Sequence, residues 1–360
     1  VPKILIIKVS SLGDVVHTLP VVADIQRHMP DAQIDWLAEE GFTDLVRLVA
    51  GVRHVIPFAL RRWRKQLFRS PTWREMRALQ RTLAAKAYDA VIDCQGLLKT
   101  AWIARYARRA GTGVLSGLAN RTEGSGYEWP VRFFYDQRIR IAPHTHVVER
   151  SRQLVAAALG FAGAVSPSDT IDFGLDTRAA AQALAQSGFS APAPYAVLLH
   201  ASSRPDKQWP ESDWIALGRN LAQRGIALVL PWGNADEQAA SGRIAAGIAA
   251  AGGAHTPPRL SLPAVVGLLN GAVAAVGVDT GLTHIAAALR RPTVELYNFD
   301  TSWRTGAYWS PRTVHLGGAG HTPERAEVEQ ALAHLEHFSV DLPEERARRQ
   351  YEQYGEREAT

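Results

Sequence analysis

The 360-residue chain has a single cysteine, Cys94. That excludes an internal disulfide framework and any zinc site built from several cysteines. There is no long apolar run and no charged-then-apolar leader, so neither a membrane span nor secretion is expected, and the expected location is cytoplasmic. No Walker A loop is present, and no G-x-G-x-x-G opens a helix after a strand, so a dinucleotide-dependent oxidoreductase would lack its fingerprint. H-E-x-x-H, paired cysteine ligands and D-x-D are also missing, which leaves a metal-ion mechanism without ligands; no metal is expected. "TEGSGY", residues 122–127, sets Gly124 and Gly126 directly beside Ser125, the wrong spacing for a nucleophile elbow.

What is there belongs to a folded α/β protein. Hydrophobic residues make up 46% and charged residues 21%, and the length suits two domains, each able to bury its own core. The net charge of +5 points to an anionic partner. Its densest local source is "RRWRK", residues 61–65. A nucleic-acid reader would interleave basic residues along one element, whereas here they crowd one loop region, so no nucleic-acid partner is expected. Cys94 reads as a small buried apolar residue on a strand, Trp63 as an inward-packing residue of the basic block, and His17 as structural.

Short β-rich runs, most followed by helical patterns, lie at residues 4–9, 33–37, 54–57 and 90–94, then at 196–199, 227–230, 274–278 and 293–296. Such alternation implies parallel sheets covered on both faces. Two clusters of runs imply two doubly wound domains, with turn chemistry for the boundary between residues 166 and 194. Four polar stretches follow strands, at the carboxyl ends where nucleotide-type ligands bind. They hold Asp14, the "HASSRPDKQWP" loop, the "PWGNADE" loop and "DTGLTH". Domains facing one another would bring these ends to one cleft.

In "GVDTGLTHIAAAL" a strand ends, Asp279-Thr280-Gly281 turns, and a small-residue helix begins. Backbone N–H groups at such a helix start suit a phosphate. Thr280 and Thr283 add hydroxyls, and Gly281 lacks the Cβ that would hold a phosphate away. His284 either donates or packs, and Asp279 alternatively only caps the helix. In "HASSRPDKQWP", Ser202 and Ser203 offer hydroxyls and Lys207 a point charge for a leaving diphosphate. Pro210 in the same stretch is expected in the first turn of a following helix. Glu237 of "PWGNADE" either accepts from a ribose or fills a helix's first turn.

Taken in order and spacing, "SSLGDVVHTLP", "RRWRK", "YDAVIDCQGLLKT", "HASSRPDKQWP", "LPWGNADE" and "VDTGLTHIAAAL" resemble the lipopolysaccharide heptosyltransferase I family, from about residue 3 to about residue 338. The resemblance implies a GT-B fold of two Rossmann-like domains facing across a cleft. Residues 1–170 would bind the acceptor, residues 171–325 would bind ADP-heptose, and residues 326–360 would form a helical segment and charged tail. It implies inverting, metal-independent transfer of L-glycero-D-manno-heptose to the inner Kdo of Kdo2-lipid A, with ADP-heptose as substrate and no cofactor. A peripheral position at the cytoplasmic face of the inner membrane follows from that acceptor. Carried over residue by residue, Asp14 matches the general base and Lys207 the diphosphate-facing lysine. Glu237 matches the carboxylate beside the ribose, and Ser202 and Ser203 match hydroxyl residues near the phosphates. Asp279, Thr280, Gly281 and His284 match the sugar- and phosphate-contacting turn. Arg61, Arg62, Arg64, Lys65 and Arg121 match cations that hold the acceptor's anionic groups. Heptosyltransferase II, or a related core transferase, is the alternative that differs in acceptor. "YNFDTSW" departs from the Gly-Pro-Thr-type loop more usual at that point.

Overall fold

Apolar runs too short for helices, and rich in Val, Ile and Leu, become parallel strands buried on both faces. The computed structural model describes residues 1–66, 70–166, 169–249 and 253–336. The chain divides into two compact units, Val1–Leu175 and Asp176–Thr360. That division falls inside the turn-rich stretch 166–194.

The first unit is built on β1 (Lys3–Ile7), β2 (Gln33–Glu39), β3 (Val52–Phe58), β4 (Ala90–Asp93), β5 (Val114–Leu118) and β6 (Gln137–Ile139). All pairings are parallel, in the order β3-β2-β1-β4-β5-β6. The second unit carries β7 (Tyr195–Leu199), β8 (Ala227–Val229), β9 (Ala254–His255), β10 (Ala274–Val278), β11 (Thr293–Tyr297) and β12 (Thr313–Gly317), in the order β12-β11-β10-β7-β8-β9. Counted from its own first strand, this is the same doubly wound order. Strand direction of travel therefore reverses between β1 and β4 in one unit and between β7 and β10 in the other. Those are the switch points at which open α/β sheets bind ligands.

Each sheet has its own core. Leu5, Ile7, Leu37, Val91 and Leu115 pack with Trp63, Leu83 and Tyr135 in the first unit. Leu198, Leu228, Val276 and Leu296 pack with Trp209, Trp214 and Ile248 in the second. The helix Arg325–Glu336 inserts Val328, Ala331, Leu332 and Leu335 into this second core, so its described residues are part of that unit and not a separate segment. The charged tail lies outside the described residues. Pro210 precedes the helix Glu211–Gln223 as its cap residue, where its missing N–H costs nothing, rather than sitting in the first turn.

One buried cation ties the helices on the first sheet together. Arg152, on the helix Val147–Leu159, is fully buried. Its Nε and Nη2 donate to the two oxygens of Asp24, at 2.8 and 3.2 Å, on the helix Pro20–His28. Its Nη1 donates to Glu149 at 3.1 Å and to the Ser166 carbonyl at 3.0 Å. One residue away, Ser151 Oγ lies 3.2 Å from Thr18 Oγ1 on the helix Leu12–Thr18. Replacing Arg152 by methionine removes the cation that lies between Asp24 and Glu149, leaving Asp24 with the partly exposed Arg27 at 3.5 Å. Loss of one partner of such a buried set costs about 3–5 kcal/mol, so Arg152→Met should lower the unfolding free energy by that amount in urea denaturation. A loss below about 1 kcal/mol, the range of an exposed pair, would show that the cluster is not a structural anchor.

Candidate active site

In the first unit the site forms where β1 and β4 end. Gln95, just past β4, accepts from the Val9 and Ser10 amides through Oε1, at 3.1 and 3.2 Å, and pins the loop after β1. The helix Leu12–Thr18 starts there, capped by Ser11. Asp14 occupies its first turn, where its Oδ2 accepts from both Ser11 N and Ser11 Oγ at 3.0 Å. Acidic residues favour this position because the helix's free N–H groups carry partial positive charge. Asp14 thus makes the local turn contact of a capping residue and still leaves its side chain 36% exposed.

Its other oxygen, Oδ1, lies 3.6 Å from Lys8 Nζ. Lys8 closes the apolar run of β1 and is buried, donating to the Cys94 carbonyl at 3.2 Å. Burial pushes the Asp14 carboxyl up, but Lys8, the Ser11 amide and Arg150 outweigh it and hold the group below the usual carboxylate range. Asp14 is therefore ionised at neutral pH. Arg150 is buried on the helix Val147–Leu159 and donates to Thr122 at 3.2 Å. Cys94 is buried, as expected, and desolvation pushes its thiol up to about 12. His17 is buried with its ring centroid 6.3 Å from that of His146, consistent with packing.

The basic block forms the short helix Leu60–Lys65 after β3. Trp63 is buried against Phe58 and donates to Glu75 at 2.8 Å. Arg62 is committed to Glu40 and Glu75, each at 2.8 Å. The Arg61 amide donates to Glu39 at 3.0 Å, and its guanidinium stacks 5.4 Å over Phe42. Arg61, Arg64 and Lys65 of the block, and Arg121 in the loop after β5, face solvent without a carboxylate among the described ion pairs.

In the second unit the site again forms at the switch point. Lys207 ends the short 3-10 turn Pro205–Lys207 after β7, and its ammonium pairs with Asp279 Oδ2 just past β10. The Asp279 side chain does not cap the helix Gly281–Ala288; it is buried between Lys207 and His284. Burial pushes its carboxyl up, but the His284 hydrogen bond and charge, then Lys207, pull it far below the usual range. Thr280 Oγ1 stands 3.3 Å from Thr283 Oγ1, which donates to the Val278 carbonyl at 2.7 Å. A Cβ on Gly277 would meet Thr283 Oγ1 at 2.2 Å, so glycine in β10 lets this helix start sit close to the sheet. Ser202 Oγ accepts from the Arg204 amide at 3.2 Å, and Ser203 is exposed. Glu237 binds back to the Gly233 amide and to Asn234, each at 2.7 Å, so it shapes its own loop at the start of the helix Ala235–Ala249.

Three contributors escape a reading of the sequence, and a fourth is marked there as unusual without a role. Lys8 and Glu295 are single charges inside apolar runs, and Arg150 lies in a helix far along the chain. The fourth is the unusual "YNFDTSW" stretch after β11. There Asn298 Nδ2 donates to the carbonyls of Asp206 and Gln208, at 3.0 and 3.1 Å, and Arg204 stacks 5.1 Å over Phe299. That loop braces the Lys207 turn from both sides. The sequence marks this loop as unusual; its bracing role shows only in the fold.

Residues 76–334 match glycosyltransferase family 9 (heptosyltransferase). Lipopolysaccharide heptosyltransferase 1 of Pseudomonas aeruginosa is 42% identical over 315 residues, covering 88% of this chain and 83% of that protein. Among solved structures, the Escherichia coli heptosyltransferase WaaC with ADP superposes with a TM-score of 0.79 at 36% identity, covering 92% of this chain and 99% of that one. The same enzyme with ADP-2-deoxy-2-fluoro heptose gives a TM-score of 0.76 at the same identity and the same coverage.

The Lys8–Asp14 contact has a direct consequence for titration. Lys8 is the strongest of the influences that lower Asp14, so Lys8→Met, which keeps side-chain bulk, leaves burial less opposed. The Asp14 midpoint, followed by carboxyl carbon NMR, should move upward in the variant. An unchanged midpoint would mean that Ser11 and Arg150 hold the carboxylate without Lys8.

Proposed function

The chain belongs to glycosyltransferase family 9, the heptosyltransferases, and from that premise we propose that it transfers L-glycero-D-manno-heptose from ADP-heptose to the inner Kdo of Kdo2-lipid A, inverting the anomeric carbon. The observation that carries this is the Lys207–Asp279 pair beside the start of the helix Gly281–Ala288, at the switch point of the second sheet. A cation and free helix N–H groups at one spot suit a diphosphate that gains charge as it leaves. The solved relatives with ADP and with a fluoro-heptose analogue support the donor, and the heptosyltransferase 1 name of the relative at 42% identity supports the acceptor over the type II alternative.

In this mechanism the acceptor hydroxyl oxygen attacks the anomeric carbon while the bond to the diphosphate breaks. The electron pair leaves on the phosphate oxygen, and the hydroxyl proton passes to Asp14. Lys8 and Ser11 keep Asp14 ionised before the reaction, so no proton has to be shed first. Lys207 turns from Asp279 toward the diphosphate. Ser202, Ser203, Thr280 and Glu237 contribute donor contacts, and Gly281 gives the phosphate close access to the backbone. The reading asks for no cofactor beyond the nucleotide sugar, since protein charge and backbone dipoles serve the leaving group.

The acceptor is anionic, and Arg61, Arg64, Lys65 and Arg121 are free to meet it. Arg62 acts through Glu40 and Glu75 to hold the helix that presents Arg61, Arg64 and Lys65. Peripheral attachment to the cytoplasmic face of the inner membrane belongs to the same proposal. No described helix is long and apolar enough to cross a membrane. Trp129 and Phe133 are 63% and 64% exposed, with the Arg132 guanidinium 5.8 and 5.2 Å over their rings. Exposed aromatics around a cation suit the headgroup region of a bilayer.

The direct test is a transfer assay with ADP-heptose and a panel of Kdo2-lipid A acceptors; no heptose transfer to any of them overturns the reading. Asp14→Asn should keep folding and ADP affinity while kcat falls about 10²–10⁴-fold, the usual cost of losing a general base. Turnover near that of the wild type would remove Asp14 from this role. Replacing Arg64 and Lys65 together by alanine should raise the acceptor KM, with the ratio to wild type shrinking as salt is added. The same change in ADP affinity would place those cations at the donor instead.

A further inference from the structure

Glu295 has no part in the mechanism above, yet it is a fully buried carboxylate in the middle of β11. Its surroundings are built for charge. Oε2 accepts from Tyr297 Oη at 3.0 Å and from the Ala307 amide at 3.3 Å, and it lies 3.2 Å from His315 Nε2. Oε1 faces His284 Nδ1 at 3.2 Å. The other nitrogen of that ring, Nε2, faces Asp279 Oδ1 at 3.1 Å. Asp279 in turn holds Lys207.

Both nitrogens of one imidazole thus meet carboxylate oxygens. A carboxylate only accepts, so a ring that satisfies both is the doubly protonated imidazolium. The result is an alternating row of charges: Lys207, Asp279, His284, Glu295. We infer that Glu295 is a positioning residue for the donor: it keeps His284 an imidazolium, so that Asp279 stays paired and in place when Lys207 leaves it for the diphosphate. This rests on the donor reading given above. Without the imidazolium, the departure of Lys207 would strand a buried carboxylate, and donor binding would have to overcome that penalty.

The ionisation of His284 fits. Burial opposes charge on the ring, but the hydrogen bonds and charges of Asp279 and Glu295 prevail and lift it to about 9. The titratable groups gathered on it are Asp279 after β10 and Glu295 on β11. Behind Glu295 stand Tyr297 on β11 and His315 on β12, and behind Asp279 stands Lys207. The helix Leu262–Gly271, packed on the same element, brings no ionisable side chain.

The sign of the effect follows. In the wild type, His284 keeps its charge until pH rises through about 9. Removing the Glu295 charge lowers that midpoint, so the imidazolium is lost at a lower pH. The experiment compares wild type, Glu295→Gln and Glu295→Asp. The His284 ring is titrated by NMR of labelled histidine, and ADP affinity is measured by calorimetry from pH 6 to pH 9. Affinities are read as the ratio to wild type at each pH, which cancels the ionisation of ADP itself. Glu295→Gln should bind ADP within about threefold of wild type at pH 6 and at least about tenfold more weakly at pH 8, the scale of one lost charged hydrogen bond. Glu295→Asp should restore the high His284 midpoint. A uniform ratio across pH, or an unmoved His284 midpoint in the glutamine variant, overturns the assignment. If the glutamine variant does not fold, the wild type decides alone: a His284 midpoint at or below pH 7 overturns it. Wild-type protein that binds no ADP at any pH defeats the donor reading instead, and the NMR titration still judges Glu295.

Discussion

Strands buried on both faces admit almost no charge along their length, and this constraint organises everything else in the molecule. Polar chemistry is pushed to the strand ends. At the carboxyl ends it collects where neighbouring connections run off in opposite directions, between β1 and β4 and between β7 and β10. The two units share one strand order, and each places one lysine and one aspartate at this point.

The pairs have opposite polarity. In the first unit the cation is hidden, with the Lys8 side chain 3% exposed against 36% for Asp14. In the second the acid is hidden, with Asp279 8% exposed against 20% for Lys207. One topology therefore presents a carboxylate in one unit and an ammonium in the other. A sugar transfer needs both, a proton acceptor for the nucleophile and a positive charge for the leaving group. In each pair the buried member lies against the exposed one: Lys8 helps hold the Asp14 carboxyl low, and Asp279, itself backed by His284, pairs with Lys207.

The strongest apolar runs, the parallel pairing they imply and the loops after them were legible in the sequence, because burial on both faces leaves an unbroken Val-Ile-Leu signature. Asp14, Lys207 and Asp279 were legible as polar residues directly after such runs. The strands β5, β6, β9 and β12 were not, being short or broken by glycine and polar residues. Lys8 reads as a strand flank, since nothing local announces that its ammonium turns inward beneath Asp14. Glu295 reads as the polar side of a half-exposed strand, because its partners come from "GLTH" and from β12. Arg62 shows the opposite limit. It looks identical to Arg64 in sequence, yet Glu40 and Glu75 lie on different segments, and only the fold reveals that it is already spent. Glu237 was legible as a polar residue after a strand, and its bonds to Gly233 and Asn234 show that it also shapes its own loop.

The buried thiol of Cys94 bears on how this protein can be handled. Burial pushes it up to about 12, so it carries far less thiolate at neutral pH than an exposed cysteine, and the thiolate is the nucleophile. It is also the chain's single cysteine. A cysteine introduced at an exposed position is then the only fast-reacting sulfur in the protein. Maleimide dyes, spin labels and cross-linkers can be attached at one chosen residue with the native sequence otherwise intact.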